Sequence, residues 1–208
     1  MNKRFKIVLI ANTSNFFNVF MLNHINKLSK KYDLFICCKD ADKLKEKIPS
    51  NASLININFK RGINLFNDIA AFFITLFFFF KKRPDLSISF TPKIGFMVAF
   101  ASFAARTPNR IHWFTGQIWA NKKSFDRMFY KLIDRLIFSL SHNVLIDSFS
   151  QRNFLIMEKI VSPNKSIVLH KGSVGGVDVV KFRFNKQKRI RLRLSLIHIS
   201  EPTRQEAI

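Results

Sequence analysis

The chain reads as an α/β protein with a doubly wound, mainly parallel sheet and helices on both faces. Three observations predict this. Apolar runs of strand character alternate with segments of helical spacing along most of the 208 residues. The connections are short, which suits βαβ units. Several strand runs are continuously apolar rather than alternating, as in strands covered on both faces.

Taken in order, Lys6–Ala11 is a short apolar run with β-branched residues and predicts a central strand. Phe16–Lys31 carries helical spacing through Phe17, Met21, His24, Ile25 and Leu28. Leu34–Cys38 is a second continuous strand, and Leu54–Phe59 an alternating one. Leu65–Phe80 is helical, ended by Pro84-Asp85, and Leu86–Phe90 alternates as a strand. Lys93–Ala105 is a small, apolar helix, and Arg110–Phe114 a strand. Ser124–Leu140 has the strongest helical pattern, with Phe125, Met128, Phe129, Leu132, Ile133, Leu136, Ile137 and Leu140 on the face expected in the core. Strand Asn143–Ile146, helix Ser148–Lys159 and strand Ser166–Leu169 follow. Gly172-Ser-Val-Gly-Gly-Val177 marks a hinge, with Gly172, Gly175 and Gly176 as its flexible points. The domain expectation is residues 1–171, then a linker and the start of a second domain over 172–193.

Thirty-five Lys and Arg face 13 acids, for a formal charge of +22. That balance favours anionic partners: nucleic acid, phosphorylated ligands or an anionic membrane. A/T-rich codons also favour the abundant Lys, Asn, Ile and 25 Phe. Cys37 and Cys38 are adjacent, which is neither a disulfide framework nor a metal spacing, and suits reduced thiols in the cytoplasm. The apolar run after Met1 is too short for a signal peptide. Ile69–Phe80 is apolar on every face yet far shorter than the ~20 residues that span a bilayer. It suits a helix buried against the sheet, or an interfacial helix flanked by Lys81, Lys82 and Arg83. Lys123, Arg127, Lys131 and Arg135 recur at helical spacing, as a solvated stripe or as a surface for anionic lipid.

Metal clusters, nucleophile elbows, phosphate loops and dinucleotide glycine patterns do not occur in the sequence, so no metal or cofactor is expected. In a parallel α/β sheet, ligands sit beyond the carboxyl ends of the strands. That singles out the loops 12–15, 91–93, 115–121 and 147–152.

The local signatures in these loops are familiar as a set. Pro84-Asp-Leu86 leads to Thr91-Pro-Lys-Ile-Gly95, with Ser89 or Phe90 where relatives carry a His. Arg110-Ile-His-Trp-Phe-Thr-Gly-Gln-Ile-Trp-Ala120, Asp147-Ser-Phe-Ser-Gln-Arg152 and Gly172-Ser-Val-Gly-Gly-Val-Asp178 with Lys181-Phe182 follow, with Lys171 in place of an Asn. In this order they resemble the N-terminal, Rossmann-like half of a retaining GT-B glycosyltransferase of family 4. The resemblance implies an acceptor-binding domain whose partner domain, holding the nucleotide-sugar and its diphosphate, lies beyond this chain. It implies acceptor contacts from Asn12, Thr13, Thr91, Lys93, Thr115, Gly116, Gln117, Ser150 and Gln151, with Trp119 offering a ring to stack on a sugar. His112 is either a hydrogen-bonding group for the acceptor hydroxyl or a satisfied strand histidine. The implied acceptor is a polyprenyl-diphosphate-linked saccharide in surface polysaccharide (capsule, lipopolysaccharide or exopolysaccharide) assembly. The implied location is the cytoplasmic face of the inner membrane, bound peripherally. Two rivals are a GT-B sugar-nucleotide epimerase and a basic nucleic-acid-binding domain; core periodicity of most Phe residues speaks against the second.

Leu194-Ser-Leu-Ile-His-Ile-Ser-Glu-Pro-Thr-Arg204 resembles a translated transposase-type sequencing adapter. Residues 194–208 are therefore expected to be foreign to the fold, the coding sequence breaking off near Arg193. The same truncation implies that this chain alone is inactive.

Overall fold

A computed structural model describes residues 4–60, 62, 64–176 and 183–200, with side chains through residue 195. Two compact units emerge, residues 1–176 and 177–208.

The first unit is built on seven strands: β1 (Lys6–Thr13), β2 (Asp33–Lys39), β3 (Ser53–Asn56), β4 (Leu86–Phe90), β5 (Asn109–Phe114), β6 (Asn143–Ile146) and β7 (Ser166–Val168). They lie in the order β3-β2-β1-β4-β5-β6-β7, and every neighbouring pair is parallel. The chain winds outward from β1 in one direction, then returns to place β4 on its other side. The topological switch point is therefore between β1 and β4.

Register assigns the faces. Ile10 pairs with Ser89, Ser89 with His112 and His112 with Val144, so these side chains share one face. Helices α3 (Leu65–Lys82), α4 (Pro92–Ala104) and α5 (Ser124–Leu140) cover it. The other face holds Ile7, Leu9, Leu34, Ile36, Phe90 and Trp113. It packs on Phe17, Met21 and Ile25 from α1 (Ser14–Phe16), a π-helical turn (Phe17–Met21) and α2 (Leu22–Leu28). α6 (Phe149–Met157) buries Leu155 beside Phe114 and Ile146.

Local chemistry sets the helix bounds. Asn64 caps α3 by accepting the Asn67 N–H at 3.0 Å. α3 stops at Arg83, left-handed at φ 46°, because Pro84 disfavours helical backbone before it. Pro92 opens α4, where its missing N–H is no loss.

Several expectations need correction. The predicted helix Phe16–Lys31 is interrupted by the π turn and ends at Leu28, and a 3-10 turn at Ala41–Leu44 carried no predicted element. The Ile69–Phe80 run packs against the sheet along one side, as one of its two readings expected. It buries Ala71, Thr75, Phe78 and Phe79 and exposes Ile69, Phe73, Ile74, Phe77 and Phe80. On α5, Ile137 is buried as expected, but Phe125, Met128, Phe129 and Leu132 are exposed. Many Phe residues are thus at the surface, contrary to their assignment to the core.

In the second unit, α7 runs from Lys186 to Ser200. This helix crosses the break expected near Arg193 and continues into the run 194–199, with Ile190, Leu192 and Leu194 exposed. Asp178, Lys181 and Phe182 of the linker signature, and residues 201–208, lie outside the described residues.

Candidate functional site at the carboxyl edge of the sheet

The predicted residues fall along one edge because every strand is parallel. Asn12 and Thr13 end β1, Thr91 follows β4, Thr115–Gln117 follow β5, and Ser150 and Gln151 open α6 after β6. Asn12 and Thr91 flank the switch point.

Thr91 has φ 68° and ψ 140°, a region that a β-branched residue rarely enters. Its hydroxyl is buried without a hydrogen-bond partner, as are Asn12 Oδ1 and Gln117 Nε2. Buried polar atoms are normally satisfied. Strain and unmet hydrogen bonds on one edge are what a ligand site leaves in the free protein.

Gln117 is tied to the next strand: Gln151 Nε2 donates to Gln117 Oε1 at 3.1 Å and to the Phe114 carbonyl at 3.3 Å. Gln151 Oε1 accepts from the Asp147 N–H at 3.2 Å. Ser148 caps α6 by accepting the Gln151 N–H at 3.1 Å, and its hydroxyl meets that of Ser150 at 3.0 Å. Thr115 and Gly116 are exposed, and a Cβ on Gly116 would meet no atom within 4 Å. The loop thus offers open space beside a positioned amide.

Three residues named from the sequence are engaged by contacts within the protein. Lys93 is bound by Asp68 at 2.6 Å and donates to the Gly62 carbonyl at 2.7 Å and the Lys60 carbonyl at 3.0 Å. Those contacts hold the loop before α3. Trp119 is 1% exposed and cannot stack on a sugar in this geometry. Its indole N–H donates to Asp134 at 2.7 Å, and its ring stacks on Phe154 at 5.3 Å. His112 lies beneath α4, 1% exposed, with Nδ1 2.8 Å from the Ser89 hydroxyl and Nε2 unpartnered. Burial pushes its pKa down to about 3, so the ring is neutral. This placement suits the strand-histidine reading.

The basic stripe of α5 is also largely engaged. Arg127 and Lys131 each reach Glu158 at 2.6 Å, and the two hydrogen bonds lower its pKa. Arg135 donates to the Lys159 carbonyl at 3.1 Å. Burial pushes the Cys38 thiol up to about 12 and raises Cys37 as well, which removes both as nucleophiles.

Asp147 heads the 147–152 loop singled out from the sequence but was given no role of its own there. Its carboxylate accepts the Trp113 indole N–H at 3.0 Å and the Val174 backbone N–H, while its carbonyl accepts from Ser173 N–H at 2.7 Å. Burial raises its pKa despite those donors. Gly172 has φ +95°, and a Cβ there would lie 2.0 Å from the Asp147 carbonyl oxygen. Gly175 packs on the Phe20 backbone. All three expected hinge glycines fall in the first unit: Gly172 and Gly175 are packed within it, and Gly176 is exposed with open space around it. The position of Asp147, at the head of the Asp147–Arg152 run, was the available signal.

No protein-family model matches the chain. The chain is 28% identical over 169 residues to the capsular polysaccharide biosynthesis glycosyltransferase CapM of Staphylococcus aureus, a match covering 81% of this chain and 44% of that protein. It therefore spans less than half the length of this relative. Among solved structures, Anabaena HepE in complex with UDP and glucose aligns with TM-score 0.64 at 13% identity, over 92% of this chain and 50% of that one. UDP-N-acetylglucosamine 2-epimerase from Rickettsia bellii aligns with TM-score 0.61 at 12% identity, over 96% and 50%. The lipopolysaccharide outer core galactosyltransferase WaaB aligns with TM-score 0.54 at 15% identity, over 79% and 45%. These likenesses establish a Rossmann-like α/β fold of the kind that forms one half of GT-B proteins.

Proposed function

We propose that this chain is the acceptor-binding half of a retaining, family 4 GT-B glycosyltransferase of surface polysaccharide assembly. Its donor would be a nucleotide-sugar and its acceptor a polyprenyl-diphosphate-linked saccharide at the cytoplasmic face of the membrane. The observation that carries the reading is the similarity to CapM over 169 residues, 81% of this chain. The epimerase reading has only a shared fold behind it, and folds host many activities.

Sugar transfer needs the acceptor hydroxyl held close to the anomeric carbon. It also needs cations or helix N-termini to stabilise the departing diphosphate. In this proposal residues 4–176 supply the first requirement. Asn12, Thr91 and Gln117 bring unsatisfied polar atoms, and the open space at Gly116 admits the sugar. The second requirement belongs to a further domain reached through the 172–176 linker, with residues from Leu194 onward being the adapter-derived stretch. Sequencing the gene across codon 193 is the test. A continuation with an acidic E-x7-E motif and a second Rossmann-like pattern is expected, together with nucleotide-sugar turnover by the longer product and none by residues 1–208. Transfer by residues 1–208 alone would overturn the division of labour.

A further inference from the structure

The edge of the sheet opposite the candidate site carries a second concentration of hydrogen-bond donors. β4 to β7 are parallel neighbours, so the segments that enter them meet along this amino edge. Between the end of α4 and the start of β5 lies a hollow of about 580 Å³, a size usual for small-molecule sites. Phe103, Arg106, Thr107, Pro108, Arg110 and His142 line it, and among the described residues of the lining none is acidic.

The polar groups here are fixed by contacts that bring no negative charge. Arg110 Nε donates to the Leu140 carbonyl and a terminal guanidinium nitrogen to the Thr107 carbonyl, both at 2.8 Å. These bonds tie the end of α5 to the loop after α4. The guanidinium is half-buried, 5.5 Å from the Phe103 ring centre, and burial lowers its pKa. The Arg110 backbone N–H donates to His142 Nδ1 at 3.2 Å, so the neutral ring carries its proton on Nε2. Burial, then the Arg110 and Lys165 charges, lowers the His142 pKa. Lys165 Nζ donates to the Ser141 carbonyl at 3.3 Å. Among the described residues, Arg106, Arg110 and Lys165 form no salt bridge. Asp85, on the adjoining hollow, already accepts the Lys6 backbone N–H at 2.8 Å.

Thr107 gives the independent signal. It is 2% exposed, its N–H donates to the Ser102 carbonyl at 2.9 Å, and its hydroxyl is buried without a partner. Buried hydroxyls are normally satisfied. Arg106 closes α4 in the left-handed region at φ 54°, where helix termination by itself favours glycine. A cation is thus held at the mouth of the hollow, beside an orphaned hydroxyl.

We infer that this amino-edge hollow binds the phosphate of a small, soluble phosphomonoester. Arg106 and Arg110 supply the counter-charge, and the Thr107 hydroxyl and His142 Nε2–H donate to its oxygens. Phosphate oxygens accept and do not donate, which matches a lining of donors. The hollow exceeds what an inorganic ion fills, so its remainder takes the organic part of the ligand against Phe103 and Pro108. The site is separate from the acceptor loops: β5 begins at the hollow and ends at Phe114, next to Thr115 on the opposite edge. The inference goes beyond the transferase proposal and does not depend on it.

Isothermal titration calorimetry of residues 1–208 at constant ionic strength tests the site. Glucose 6-phosphate should bind saturably and more tightly than inorganic phosphate. Arg106→Gly should weaken it about tenfold, the scale of a hydrogen bond to a charged group. Its melting temperature should hold or rise, because glycine suits φ 54°. Thr107→Val, close in shape, should also weaken binding about tenfold with no loss of melting temperature, since it removes an unsatisfied buried hydroxyl. Lys30→Ala, which removes an exposed cation beyond α2, should leave affinity unchanged. Equal weakening by all three variants would reduce the effect to bulk charge and overturn the inference. Binding that ignores Arg106→Gly and Thr107→Val, or equal affinity for the two probes, overturns it too. So does Arg106-dependent binding to phosphatidic acid vesicles with no binding of either soluble probe, which would assign the hollow to a lipid headgroup.

Discussion

The imidazole of His112 occupies the space where a side chain at residue 95 would begin: a Cβ built on Gly95 lies 2.3 Å from His112 Cε1. The pair joins the N-terminal turn of α4 to β5 just beneath the candidate site. It also explains physically why the Thr91–Gly95 run ends in glycine. The helix can approach the strand only where it has no side chain.

Gly95→Ala should therefore destabilise the protein by about 1–3 kcal/mol through overpacking. Adding His112→Ala should recover part of that loss, since the clash partner is gone. Urea denaturation of the two single variants and the double variant measures the coupling. Additive losses would mean that the ring and the glycine do not constrain each other.

The burial of His112 has a pH consequence. Its folded pKa of about 3 lies below the ordinary 6.5, so the unfolded chain binds the proton first as pH falls. The stability it contributes is complete above about 6.5 and is lost progressively toward about 3. His112→Gln should flatten the fall of the urea midpoint across that window relative to wild type. Parallel curves would show that acid unfolding is set by other groups.

Asp134 has the opposite sign. Burial raises its pKa from 3.8 to about 6 despite the Trp119 hydrogen bond, so its contribution is greatest below 3.8 and lost as pH rises through about 6. Asp134→Asn keeps an acceptor for the indole and removes the buried charge. The variant should be more stable than wild type at pH 7.5 by an amount that shrinks toward pH 4, as thermal melts at both values would reveal.

The acceptor loop separates binding from folding. Gly116→Val meets open space, so its melting temperature should match wild type, while transfer by the complete enzyme should fall more than donor hydrolysis. Gln117→Ala should raise the acceptor KM by a factor corresponding to about 0.5–1.5 kcal/mol for one hydrogen bond. Unchanged acceptor kinetics in both variants would remove the loop from the site.

Gly172→Ala probes the linker clamp. With φ +95° and the Asp147 carbonyl in the way, the new methyl should break the Ser173–Asp147 hydrogen bond. Limited proteolysis should then cut within 172–176 faster, with the core melting temperature little changed. Equal cleavage rates would mean that the clamp does not restrain the linker.

What the sequence determined alone was the order and kind of elements. Leu86–Phe90, Ser124–Leu140 and Asn143–Ile146 form at the predicted bounds because their periodicity and their Pro or polar flanks act over a few residues. The parallel sheet followed from short βαβ connections, and the candidate loops followed from the sheet. Periodicity, however, reports which residues share a side of a helix and not what that side meets. The apolar side of α5 is buried at Ile137 and bare at Phe125. Trp119, His112 and the Arg127–Lys131 stripe were open to a ligand on paper. Asp134, Gly95 and Glu158, distant in sequence, close on them in space. Those partners were invisible along the chain because desolvation and ion pairing depend on long-range contacts, and only the tertiary structure brings them within reach.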